Sequence, residues 1–354
     1  MKKISVLISI LVITLILAAM VVSCKTTTEP TQPTQPSKPS EPAKPAEAKL
    51  IRLAVPYPAG DMMCVHFDEW IAEFNAAAAG EYEMKLFPSE TLVKVPESFD
   101  AVRTGAVEMT SVASNIFAGI DPRLGAAGLP MLCNNVQANA ALCIELAPLY
   151  SDLYAEYNQK LVNTYQTDGL EVHSNKPIKT LDDWSGIIIA AIDPECAALT
   201  DILGGSSVVV PWTETYSALE KGVVDATYHS TEFALIGKLY DVSTFTLMFF
   251  SIPTMLVTSI NMDVWNGMPA NLQDKMLELG EWSQANRNEY FIAAHDEKIN
   301  TLRDLGQEVY ILPKEERDKW VDLAMPYTEG RLTEMGDFGA QVKQIVDKVN
   351  SQFP

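Results

Sequence analysis

From Leu50 onward the chain alternates short apolar runs with helically spaced ones, and this alternation constrains the fold more than any other feature. Residues 51–55 form an apolar strand, ended by Pro56-Tyr57-Pro58-Ala59-Gly60. Residues 66–79 place Phe67, Trp70, Ile71 and Phe74 at helical spacing, and 82–87 alternate as a strand. Residues 97–104 then read as a helix stopped by Gly105, and 107–112 as another strand. A β-α-β-α-β order implies a largely parallel sheet covered by helices. Ligands of such sheets sit beyond the carboxyl ends of the strands.

A second set begins near Gly169. Strands are expected at 170–173, 187–192, 207–210 and 226–229. Helices are expected at 181–184, capped by Thr180, at 195–203, and at 213–221, stopped by Gly222. The phrase 100–108 resembles 217–225: each is a helix end, a glycine able to take positive φ, and a strand start. Any α/β unit can write such a phrase, so it supports only two similar lobes. Residues 271–305 keep helical spacing with no proline between Pro269 and Pro313. A helix of that length, on the order of 50 Å, lies across both lobes, with Gly280 as the expected bend. Residues 308–312 read as a late strand, and 314–352 as closing helices interrupted around Pro326 and 336–339.

The segment before Leu50 reads as an address. Met1-Lys2-Lys3 is followed by an apolar stretch, 4–22, that ends in Val21-Val22-Ser23-Cys24. This ending resembles a bacterial lipobox, with cleavage before Cys24 and lipid on its thiol; an uncleaved membrane anchor is the alternative. Residues 25–49 lack aromatic and large aliphatic side chains up to Leu50 and carry prolines at 30, 33, 36, 39, 42 and 45. Such a run cannot bury a core and stiffens toward polyproline II, a tether. The net charge of −20, from 26 Lys+Arg and 46 Asp+Glu, argues against nucleic acid and against a polybasic membrane face.

Motifs of catalysis are missing: the sequence has no G-x-G-x-x-G, P-loop, G-x-S-x-G or H-E-x-x-H, and no calcium loop. No cofactor and no metal is expected, since His66, His173, His229 and His295 include no i, i+4 pair. Cys133 and Cys143 can pair in an oxidising compartment or stay as two buried thiols.

The run 214–225, Glu-Thr-Tyr-Ser-Ala-Leu-Glu-Lys-Gly-Val-Val-Asp, resembles the E-x-Y-x-A-L-x-x-G-x-V-D motif of the solute-binding subunits of TRAP (tripartite ATP-independent periplasmic) transporters. The segment 176–186 is similar to that family's P-I-x-x-x-x-D-x-x-G stretch, and 87–92 to its Y-P-x-x-x-L turn. The resemblance implies an α/β, two-lobed, periplasmic-binding-protein-like fold with a long helix bridging both lobes. The layout it gives is a signal at 1–23, a tether at 24–49, lobe I at 50–165 and lobe II at 166–242. Lobe I return strands follow at 243–270, then the bridging helix at 271–306 and closing elements at 307–354. It also implies a receptor, not an enzyme, that passes a small organic solute to membrane permease subunits.

In most members an arginine of the second lobe clamps the ligand carboxylate. Ala190 occupies that position here, and Leu170 stands where some sialic-acid-binding members have another arginine. No arginine occurs between Arg123 and Arg287. The positions matching the family pocket are Tyr57, Ser111, Ser114, His173, Ala190, Trp212, Tyr228 and His229. Such a set suits an aromatic, partly apolar or neutral ligand, a cation over Trp212 and Tyr228, or an organic acid held by backbone N–H groups with His173 or His229. Two other readings stay open: a lipoprotein enzyme with His173 or His229 as general base, and a degenerate binding fold serving as a sensor or docking protein.

Overall fold

The computed structural model describes residues 47–354. The expected signal, Cys24 and almost the whole tether lie outside the described residues. The first lobe opens with β1 (Lys49–Ala54), α1 (Met62–Ala78), β2 (Tyr82–Phe87), α2 (Val95–Thr104) and β3 (Met109–Ala113). Asp61 caps α1, its carboxylate accepting from the Met63 N–H at 2.7 Å. Phe67, Trp70 and Phe74 are fully buried and fix the face that α1 turns to the sheet. Gly105 ends α2 at φ 75°, its N–H closing on the Val102 carbonyl, as the sequence phrase implied. Then come α3 (Val136–Ala155) and β4 (Gln159–Gln166), where the sequence had suggested no element.

The chain crosses through 167–169 into a second sheet: β5 (Leu170–Ser174), β6 (Ile188–Ala191), α4 (Pro194–Ile202), β7 (Ser206–Val209), α5 (Thr215–Glu220), β8 (Ala226–His229), α6 (Thr231–Ile236) and β9 (Phe245–Ile252). It returns through Pro253-Thr254 to β10 (Met255–Asn261) and α7 (Met262–Asn266), and continues as α8 (Ala270–Ala293), α9 (His295–Asp304), β11 (Glu308–Ile311), α10 (Lys314–Glu334) and α11 (Gly336–Gln352). The sheets have the orders β2-β1-β3-β10-β4 and β11-β9-β5-β8-β6-β7.

Strand directions locate the crevice. β1 is parallel to β2 and β3, and β10 runs against both β3 and β4. The carboxyl ends of β1, β3 and β4 therefore share one edge of the first lobe. In the second, β6 is parallel to β7 and β8, and β5 is antiparallel to β8. The ends of β6, β7 and β8 thus lie beside Leu170, where β5 enters from the first lobe. Both sets of carboxyl ends face the junction between the sheets.

Three expectations are corrected. Residues 243–270 are not all return strands of the first lobe: β9 pairs with β5 and β11 in the second sheet, and only β10 returns. The bridging helix is two helices, α8 and α9, parted at Ala294. α8 runs unbroken through Gly280. The missing Cβ of Gly280 lets the helix approach β4, since a Cβ there would stand 2.7 Å from the Val162 carbonyl oxygen. Pro326 lies inside continuous α10, so only the other expected interruption, near 336–339, is found, at Met335.

Candidate functional site

The first-lobe edge is built by the β1 loop, the first turns of α1, and the ends of β3, β4 and α8. Tyr57 follows β1 and is half-buried. Burial pushes its hydroxyl pKa up, with Tyr165 and Asp61 adding in the same direction. Arg287, on α8, is 2% exposed. Its guanidinium lies between the Phe67 and Tyr165 rings, 4.7 Å from each centroid. One Nη donates to the Met63 carbonyl at 2.9 Å and the other approaches the Met63 sulfur. Nε has no partner. No carboxylate among the described residues lies within ion-pair distance of Arg287. Desolvation lowers its pKa, against the field of Tyr165, Tyr57 and Asp61.

On the second-lobe side, Trp212 follows β7 and is half-buried, edge-on to Phe233 of α6 at 5.1 Å. Phe233 in turn stacks on His229 at 4.1 Å. His229 Nε2 is 2.8 Å from the Thr215 hydroxyl, and burial, then the nearby His173, hold its pKa well below the ordinary imidazole range.

Several residues span the junction. The Asn115 amide donates to Asp193 at 2.8 Å, joining the end of β3 to the N-cap of α4. Lys298 of α9, 5% exposed, pairs with Glu232 at 2.7 Å and with Asp168 at 3.6 Å. Its ammonium also lies over Tyr290 and Phe291, in the last turn of α8. The Asp168 carboxylate accepts from the Glu232 N–H at 3.2 Å.

Other expected site residues are held elsewhere. Tyr228 is a correction: it points to the opposite face of β8 from His229, into the core with Trp184 and Leu199, its hydroxyl on Thr200 at 3.1 Å. Alternation along a strand makes 228 and 229 face opposite sides. Ser114 is a second correction, turned inward to the Leu124 carbonyl at 2.8 Å. Ala190 is enclosed by Val210, Leu219, Ala234 and Leu302, so it packs rather than lines the crevice. Ser111 is fully buried and bonded to Tyr165 and Thr258. His173 is spent between Thr246 and the His229 carbonyl, with burial lowering its pKa to about 4. Leu170 sits in the second-lobe core.

Arg287, Asp61, Phe233, Glu232 and Lys298 were missed by the sequence reading. Phe233 had a signal, standing one helical turn past His229 behind the capping Ser230. Arg287 had none, because the spacing of 271–305 does not say which turn meets the crevice. Cys64, Cys133, Cys143 and Cys196 are free, buried thiols. Among the described residues no helix is long and apolar enough to cross a membrane, and no group of three or more His, Cys, Asp or Glu could hold a metal ion.

Among curated proteins, the chain is 26% identical over 237 residues to the 2,3-diketo-L-gulonate-binding periplasmic protein of Escherichia coli, covering 65% of this chain and 71% of that one. It is 23% identical over 211 residues to an ectoine-binding periplasmic protein of Halomonas elongata, covering 58% and 60%. Its fold matches a Bordetella pertussis extracytoplasmic solute receptor binding pyroglutamic acid, with a TM-score of 0.80 at 20% identity, covering 85% of this chain and all of that one. It also matches a TRAP solute-binding protein of Desulfovibrio salexigens with bound orotic acid, with a TM-score of 0.77 at 20% identity, covering 86% and 99%. The model of the family "Bacterial extracellular solute-binding protein, family 7" matches residues 55–332. That match spans both lobes and well over half of the sequence: the chain belongs to family 7 of the bacterial extracellular solute-binding proteins, the extracytoplasmic solute receptors of TRAP transporters.

Proposed function

We propose that this receptor closes on a small, partly apolar or ring-bearing organic solute at the junction of the two sheets. Tyr57 and Arg287 face it from the first lobe, and Trp212, Phe233 and His229 from the second. One observation carries the reading. Buried polar atoms without partners lie around this junction: the side-chain amide of Gln166 at the end of β4, Oδ1 of Asp168 in the crossing, the hydroxyls of Thr227 and Thr231 flanking the end of β8, and Arg287 Nε and Asn288 Nδ2 on α8. A buried polar group left unpaired costs about 1–3 kcal/mol, so a polar guest that bonds to several of them gains what the empty fold forgoes. The aromatic set offers the flat face that a ring needs. The pyroglutamic and orotic acids held by similar structures are ring-bearing acids of that size.

Export, a lipid on Cys24 and delivery to the permease complete the reading, with the tether holding the receptor at the membrane surface. Thermal-shift screening of the purified protein against small metabolites tests it. A ligand at about 100 times its Kd adds roughly 2.7 kcal/mol. An intact fold that no small metabolite stabilises would favour the sensor or docking alternative.

A further inference from the structure

Arg287 is a buried cation with no anion. It is 2% exposed, its Nε has no partner, and no ion pair reaches it among the described residues. A charge is seldom taken out of water without a counter-charge, because desolvation costs several kcal/mol unless a partner compensates. The compensation inside the protein is partial: two aromatic faces, the Met63 carbonyl and the Met63 sulfur. Asp61 is the nearby acid, but its carboxylate accepts from the Met63 N–H to cap α1 and forms no ion pair with Arg287.

Position adds a second argument. Met63 and Phe67 lie in the first turns of α1, after the β1 loop, and Tyr165 is one residue from the end of β4. Arg287 is thus held at the carboxyl-end edge of the first lobe. It lies one helical turn before Tyr290 and Phe291, over which the ammonium of Lys298 sits. Lys298 is not equivalent to it, being already paired with Glu232 and Asp168.

We propose that Arg287 is the carboxylate-recognising residue of this receptor, so that the solute's acid group is anchored in the first lobe and not by the second. This rests on the reading that the junction is the solute site. A planar guanidinium whose Nε–H has no partner suits a carboxylate, which compensates its charge and accepts that hydrogen bond together. Among the described residues, Asp61 is the one carboxylate whose field reaches the guanidinium, and it opposes a second acid group on the same solute. The preferred class is therefore a monocarboxylic acid with an apolar or ring-bearing body. The second lobe, whose segment 166–252 holds no arginine, closes over that body by packing.

The test uses paired compounds. The purified protein is screened by thermal shift against monocarboxylic acids, their primary amides, and dicarboxylic acids of similar size. Affinities of the hits are then measured by calorimetry for the wild type, Arg287→Met and Arg287→Lys. The expected result is stabilisation by monocarboxylates and not by their amides. Arg287→Met should keep the fold and lose at least about 30-fold in affinity for the acid, the lower end for truncating one side of a buried charge pair. Arg287→Lys should retain part of it. Amides binding as tightly as acids, dicarboxylates binding best, or Arg287→Met binding the acid unchanged would each overturn the assignment while leaving the receptor reading intact. If Arg287→Met does not fold, the acid-against-amide comparison on the wild type and the Arg287→Lys affinity still decide. No stabilisation by any compound in the panel would overturn the solute-site reading and this assignment with it.

Discussion

Replacing Glu171 by glutamine isolates one buried proton beside the strands that join the lobes. Glu171 is 1% exposed. Its carboxyl oxygens accept from the Phe249 and Phe250 N–H groups at 2.7 to 3.2 Å, where the β5–β9 register shifts between Leu170 and Val172. Phe250 is held there at φ 51°, and its ring fills the space a Cβ on Gly169 would need, at 2.7 Å. Burial raises the Glu171 pKa from 4.5 to about 8, and the two N–H bonds and the Arg317 field only partly offset it. The sign follows from where the proton sits. Between pH 4.5 and 8 the folded protein holds a proton that the unfolded chain has released, so stability falls as pH rises. The slope is about 1.4 kcal/mol per pH unit, or about 4 kcal/mol between pH 5 and 8. Glutamine keeps an acceptor for one N–H and cannot ionise, so its own cost is the same at every pH. The assay is urea unfolding of both proteins from pH 5 to 9. The variant should gain on the wild type by about 4 kcal/mol across pH 5 to 8 and level off above. Other titrating groups are common to both proteins and cancel. Parallel stability curves would refute the reasoning, because Glu171 would then ionise in the fold without penalty.

Gly280→Ala should destabilise although alanine is the better helix former. The clash with the Val162 carbonyl costs about 1–3 kcal/mol against about 1 kcal/mol of propensity, and a raised urea midpoint would contradict the close approach of α8 to β4. Burial lowers the pKa of His66 to about 3 and of His173 to about 4, so the folded state keeps both neutral. Their contribution is whole above the unfolded value of about 6.5 and is lost as pH falls toward 4, by about 1.4 kcal/mol per pH unit each. NMR ring resonances of His66 or His173 that titrate between pH 5 and 8 would exclude this. Asn115→Ala removes the bond to Asp193 between the lobes, worth about 1.5–3 kcal/mol if the acceptor is charged. Ligand affinity should fall about tenfold or more and the ligand-free radius of gyration should rise; neither changing would mean that the bond does not hold the lobes together.

The lobes were legible because they rest on local signals. The helix stops at Gly105 and Gly222 fall at turns of positive φ, and β6, β7 and β8 fall within a residue or two of their apolar runs. What the pattern could not carry was assignment across distance. β9 is a continuous buried strand that looks the same from sequence in either sheet; only its pairing with β5 and β11 decides. The 271–305 spacing showed helix but not the break at Ala294, a residue with no breaking chemistry. The aromatic positions divided for the same reason. Trp212 follows β7 and His229 ends β8 at the junction, whereas Tyr228, one residue before His229, faces the other side of the sheet. Arg287 was visible as a residue, but its place depended on tertiary packing.

Recognition in this fold falls to the groups whose bonding capacity is not already used. In the first lobe Ser111, Tyr165 and Thr258 close a hydroxyl cluster of their own. In the second, His173 links the His229 carbonyl to Thr246, which continues to Gln307 and Ser243. A solute that recruited these groups would have to break a buried bond for each one it made, and the exchange would gain little. Arg287 Nε, Thr227 and Thr231 start with nothing to break. A charge-assisted bond to Arg287 is the strongest of these, and the two hydroxyls are neutral. The first lobe therefore supplies the charge and the second supplies packing and neutral bonds. A ligand with its acid group on Arg287 engages the open first lobe in full before the second lobe closes over its apolar body.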